Sequence, residues 1–224
     1  MATPLDLEEQ EQLDELKHFW KTYGNFISWL LIVAMGGYAA WNGYGYWQRT
    51  QSAKASALYD EVERAVAIGD LNRVERSLAD MKDKFGGTLY AQQAALLAAK
   101  TFQQKDKSEQ AQAALTWVSD ETSDESYAQI ARLRLVSLLL QSHSYDAALE
   151  RLSKPFAAPF APVAADLRGD VLNAQGKPQE AIAAYSDAWK HLDDSNEYRR
   201  LVEAKLNALG VDPKAVAATA GASK

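Results

Sequence analysis

The chain has 224 residues, with 24 Lys and Arg against 30 Asp and Glu, and no cysteine. Disulfides and thiolate metal sites are excluded, and an oxidising compartment is permitted without being required. The net charge of −6 divides into −4 over residues 1–48 and −2 beyond, and a nearly neutral remainder without a basic stripe argues against nucleic-acid binding.

Residues 1–25 form an acidic leader, with Asp6, Glu8, Glu9, Glu11, Asp14 and Glu15 against Lys17 and Lys21. Leu13, Leu16, Phe19, Trp20 and Tyr23 recur there at helical spacing. They predict an amphipathic helix that rests on lipid headgroups or extends the segment behind it. From Thr22 to Gln48 there is no Asp, Glu, Lys or Arg. As a helix, Phe26 to Trp47 would rise roughly 33 Å, enough to cross a bilayer core. Aromatic residues at both ends suit the two interfaces. A signal peptide would need a basic leader, a shorter apolar run and a small-residue cleavage site, so residues 26–48 are expected to be an uncleaved transmembrane helix. Lys17 and Lys21 on one side and Arg49, Lys54 and Arg64 on the other leave its direction undecided by charge. Gly36, Ala40 and Gly43 share one helical face, a candidate packing face for another membrane helix. Small residues are also simply frequent in such helices.

Residues 49–209 are rich in Ala, Leu, Gln and Glu and read as helical throughout. They also repeat. Gly169-Asp170-Val171-Leu172, the turn residue Gly176, then Ala181, Tyr185 and Ala188 follow the small–large–turn–alanine–aromatic–alanine order of a tetratricopeptide repeat, although Arg168 replaces an expected leucine. Leu139, Ala148 and Leu152 take the Leu172, Ala181 and Tyr185 roles one unit earlier. Phe102, Ala111 and Leu115 take them in the unit before, and Val74 and Leu78 in the first. The expectation is an all-α chain: a transmembrane helix, then a tetratricopeptide-repeat-like solenoid of about four helical hairpins and a closing helix from about Ser195 to Leu209. One hairpin cannot bury its own apolar face, so three or more must stack. Residues 210–224 lack apolar periodicity and are expected to be a flexible tail.

Two polar breaks interrupt the helices. Ser119 to Glu125 is an acidic connector able to cap the next helix through Ser123 or Asp124. It lacks the alternating acids and turn glycine of a calcium loop. Lys154 to Pro162 carries three prolines and must end the helix before it. Phe156 and Phe160 either fold over the core there or stand exposed, with core packing favoured.

The chemistry-bearing residues do not assemble into a site. His18, His143 and His191 are isolated, no metal-binding or phosphate-binding motif occurs, and no nucleophile elbow is present. No catalytic residue, metal or cofactor is expected. A stack of helical pairs instead offers a groove for peptides or proteins. Its candidate partner-binding face is Gln93, Leu96, Lys100 and Gln103 in one unit and Asp166, Asp170 and Asn173 in another, set against the plainer reading of solvated helix positions.

The layout resembles the YfgM-type family, the ancillary subunits of the bacterial SecYEG translocon, over nearly the whole chain. The residues that carry the likeness are Glu15-Leu16-Lys17-His18-Phe19-Trp20, the Gly-rich span ending in Tyr46-Trp47, Thr122-Ser123-Asp124-Glu125, Leu133-Arg134-Leu135 and Ala165-Asp166-Leu167-Arg168-Gly169-Asp170. The resemblance implies a single-pass inner-membrane protein with a cytoplasmic N-terminus and a periplasmic repeat domain. It implies as partners the translocon, a membrane-anchored periplasmic prolyl-isomerase chaperone, and secreted or periplasmic proteins. A self-associating membrane scaffold, a homo-oligomer through the Gly36–Ala40–Gly43 face, is the alternative.

Overall fold

The computed structural model describes residues 7–214, with side chains from Leu13 onward. Every element among them is helical: α1 (Leu7–Ile68), α2 (Leu71–Phe85), α3 (Leu89–Gln104), α4 (Ser108–Glu121), α5 (Glu125–Gln141), α6 (Tyr145–Arg151), α7 (Ala161–Ala174), α8 (Pro178–Lys190) and α9 (Glu197–Ala208). The chain divides into two compact units, residues 1–53 and 54–224, and α1 contributes to both.

In the first unit, α1 is by length and composition apolar enough to cross a membrane. Its side chains find almost nothing within the chain. Trp29, Met35 and Trp41 are 70%, 71% and 80% exposed. Exposed apolar area of that kind is unfavourable in water, and a bilayer or a partner protein would cover it. No proline or hydrogen-bonded connection interrupts α1 at the expected limits of residues 25 and 48.

The second unit is a stack of helical pairs built on one local motif. Each odd-numbered helix from α1 to α9 ends on a residue with positive φ: Gly69, Asp106, His143, Gly176 and Gly210, in steps of 37, 37, 33 and 34 residues. At each turn the following N–H reaches back five residues to a helix carbonyl. Asp70 donates to Ala65, Lys107 to Phe102, Ser144 to Leu139, Lys177 to Leu172 and Val211 to Leu206, all at 2.8–3.0 Å. This closure satisfies the carbonyls a helix end leaves over. The five accepting residues are all buried and so mark the same place in each unit. One helical turn into the next helix, Val74, Ala111, Ala148 and Ala181 are fully buried. Small side chains there let the paired helices approach closely.

The pairing is tightest at α7 and α8. A Cβ added to Gly169 would lie 2.4 Å from the Tyr185 ring, so only glycine fits. Asp124 caps α5 by accepting from the Ser126 and Tyr127 amides at 3.0 and 3.1 Å, which accounts for part of the acidic connector. The core runs from Ala55, Val62 and Ala65 of α1 through α5 and α7, and continues as a second cluster around Tyr185, Trp189, Val202 and Leu206.

The tail departs from expectation at its start. Gly210 closes α9 by the same turn as the other first helices. Val211 packs on the second cluster and Lys214 pairs with Glu203 at 2.7 Å. Residues 215–224 lie outside the described residues. α9 is thus the first helix of a fifth unit by its turn geometry.

Gly169→Ala is expected to cost about 1–3 kcal/mol, the usual penalty for overpacking a filled site. Urea unfolding followed by far-UV circular dichroism would show a lower midpoint with unchanged native helicity.

Candidate functional site

The candidate groove residues do not form one open face. Gln93 donates through Nε2 to the Tyr127 hydroxyl at 2.9 Å, and Gln103 donates to Oε1 of Gln141 at 3.0 Å. Both bonds run from α3 to α5 and stitch neighbouring first helices together. Leu96 is only 8% exposed and belongs to the core, so it is withdrawn from the binding face. Lys100 is exposed beside Gln103, where Ala99, Leu115 and Arg134 complete a hollow of about 230 Å³.

Asp166 is the clearest correction. It is 1% exposed and cannot meet a partner. Its carboxylate accepts from Lys205 Nζ of α9 at 2.8 and 2.9 Å and from the Tyr198 hydroxyl at 2.5 Å. Asp170, one turn on, accepts from the same ammonium at 2.8 Å and from the Tyr185 hydroxyl at 2.8 Å. One cation therefore serves two carboxylates, and two phenols supply the remaining donors. Burial, then the hydrogen bond to Asp170, pushes the Tyr185 phenol well above its ordinary value; burial and the bond to Asp166 do the same for Tyr198. This cluster joins α7, α8 and α9. Asn173 remains exposed at the end of α7.

The proline-bearing connector is held from both sides. Gln129, 4% exposed on α5, accepts the Ala157 amide at 2.7 Å. Arg132 donates to the Pro155 carbonyl at 2.7 Å, and its guanidinium lies 3.6 Å from the Phe156 ring centre. Arg168 donates to the Leu152 carbonyl at 2.6 Å. The residue that departs from the repeat pattern thus ties the connector to α7. Phe156 folds against the core, half-buried. Sequence reading missed these three pins, because a lone Gln or Arg on a helix gives no sign of a loop 16 to 28 residues away.

The remaining features are poor in chemistry. Among the described residues no group of three or more His, Cys, Asp or Glu is placed to hold a metal ion. His143 occupies a turn and bonds the Tyr145 hydroxyl at 2.7 Å, and His191 lies beside Asp187 of its own helix. In α1, Gly36 and Gly43 have nothing within 4 Å of an added Cβ, and Ala40 is exposed. That small-residue face is open within the chain.

A family model described as a tetratricopeptide repeat-like domain matches residues 17–211. The chain is 35% identical to the "Ancillary SecYEG translocon subunit" of Neisseria gonorrhoeae, over 91% of this chain and 98% of that protein. The chain belongs to this family. Proteins of the same name from Escherichia coli and Haemophilus influenzae are 28% and 29% identical, each over 91% of this chain and 97% and 98% of theirs. No solved structure matches the chain. Within this family member, the repeat-like match and the stacked pairs coincide, and the match extends into the apolar part of α1.

Two outcomes follow from the buried cluster. Lys205→Met would leave Asp166 charged, buried and without its cation, at a cost of about 3–5 kcal/mol. Adding Asp166→Asn to that variant should restore part of the loss in urea unfolding. The raised phenols set an alkaline limit. Above about pH 10 the unfolded chain releases tyrosine protons that the folded chain retains, so stability falls as pH rises. Urea midpoints measured at about pH 9 and about pH 11 should separate clearly, and Tyr198→Phe should narrow the gap.

Proposed function

We propose that this chain is a non-catalytic ancillary subunit of the SecYEG translocon, anchored in the bacterial inner membrane by α1 as a single span. Its N-terminus would be cytoplasmic and its repeat domain periplasmic. The observation that carries the reading is the shared name of relatives aligned along 91% of the chain, the apolar helix included. The composition supports the anchor: an uncharged stretch from Thr22 to Gln48 precedes the domain of helical pairs.

In this reading the domain meets secreted or periplasmic proteins as they emerge and engages a membrane-anchored periplasmic prolyl-isomerase chaperone. Tethering makes weak contacts sufficient, since a module fixed beside its target experiences an effective concentration of about millimolar. Within the candidate groove, the Lys100 and Asn173 side chains are left exposed and unbonded, and they are the positions to test.

A second reading is a self-associating scaffold, favoured by the open Gly36–Ala40–Gly43 face. Photoreactive residues placed in living cells at Ala40 and at Asn173 separate the two. Capture of translocon subunits from Ala40, with chaperone or secreted chains from Asn173, is the expected result. Capture of the protein by itself alone from Ala40 would favour the scaffold.

A further inference from the structure

The second helices of the stacked pairs are unequal. α2, α4 and α8 have 15, 14 and 13 residues, whereas α6 has seven. α6 stops at Arg151 because Pro155 has no N–H to continue the ladder and bars helical geometry at Lys154. Compared with α8, roughly 9 Å of helix is missing beside it. The connector does not fill this space.

What remains is a cleft of about 510 Å³ with three walls. Ala161, Ala164, Ala165, Arg168 and Leu172 line it from one face of α7, at successive helical turns. Glu180, Ala183, Ala184 and Asp187 line it from one face of α8, again at i, i+3, i+4 and i+7. The connector closes the third side with Leu152, Lys154 and Phe156. Alanines across the floor leave room for a backbone to approach, and Leu172 and Leu152 beneath them are buried. The rim is polarised. Lys154 stands on the connector, and Arg168 of α7 reaches toward it, tied to the Leu152 carbonyl. Glu180 and Asp187 stand on α8, Asp187 3.4 Å from His191 of its own helix.

We infer that this cleft is a docking notch for a short amphipathic helix of a partner protein, which takes the place of the missing half of α6. Two parallel helical faces at one level accept a helix, as the other pairs of the stack show. About two turns fit the missing length. The floor selects small and medium apolar side chains on one stripe. The rim selects Lys or Arg along the edge facing α8 and Asp or Glu along the edge facing the connector. The inference rests on the reading of this domain as a protein-interaction module and names where one class of partner sits.

The test uses the full chain in living cells, with a photoreactive residue in place of exposed Ala183 and the attachment point on the captured protein mapped. The expected attachment lies on a partner helix of at least two turns with that charge pattern. Glu180→Lys together with Asp187→Lys should lower its yield on the order of tenfold, the effect of reversing rim charges. Ala183→Trp, which fills the notch from the surface, should abolish capture from a photoreactive residue at Ala165. Unchanged far-UV dichroism in both variants would show that the fold is kept. Attachment to an extended stretch, to a second copy of this chain, or with a yield that ignores the charge reversal would overturn the notch. So would the absence of any product from Ala183. Capture of translocon subunits from Ala40 in the same cells would leave the translocon reading standing when the notch fails; loss of both would remove the two together.

Discussion

A helix end must satisfy its last carbonyls, and a helical pair must turn tightly enough for its members to share a core. In residues 54–214 one backbone closure meets the first demand five times and the second four times, after α1, α3, α5 and α7. The left-handed residue at Gly69, Asp106, His143, Gly176 and Gly210 folds the chain back, and the residue four places earlier is buried at the same turn. The second helix then begins in a fixed position, with a small buried side chain one turn in. Everything further out depends on this register. The next pair can stack only because the first pair presents its apolar positions at a constant level.

The steps of 33 to 37 residues show how loosely the sequence between closures is constrained. Length varies in the second helices and connectors, and the extreme is α6 with its seven residues. There the proline-bearing connector replaces helix, and three polar pins from α5 and α7 replace apolar packing. Gln129, Arg132 and Arg168 each spend a polar group on a connector backbone atom. A connector that carries prolines cannot satisfy its backbone by a ladder of its own, so Arg132 and Arg168 donate to carbonyls there and Gln129 accepts an amide.

Leu172, Leu139 and Phe102 were readable from the sequence because burial at a repeated level leaves an apolar residue at a repeated spacing. Ala111, Ala148 and Ala181 were readable for the same reason. The turns at Asp106 and His143 were less so, since a non-glycine residue with positive φ carries no local mark. On sequence, Asp166 and Asp170 read as part of a partner-binding face, which their burial and pairing contradict. A carboxylate on a helix is usually solvated, and the partner that changes this, Lys205, lies 35 to 39 residues away. Periodicity reports what neighbours along a helix share. It is silent on a single ion that reaches across from another element. Gly210 was legible as a helix stop but not as a fifth closure, because its unit lacks the companion pattern that identified the others.

The fifth closure places a first-type helix beyond α8. Stacked pairs present a similar seat at each level, and a seat left bare at the end of such an array is complementary to the start of another copy. Contacts of that head-to-tail kind do not close on themselves and grow into filaments. α9 occupies the seat beyond α8 with a first-type helix, clasped by one ammonium between two carboxylates. Outward it shows Glu197, Arg200, Ala204 and Asn207, with Leu201 its one large apolar side chain at 49% exposure. A charged clasp inside and a mostly polar surface outside leave α9 with little apolar area for a further helix to cover.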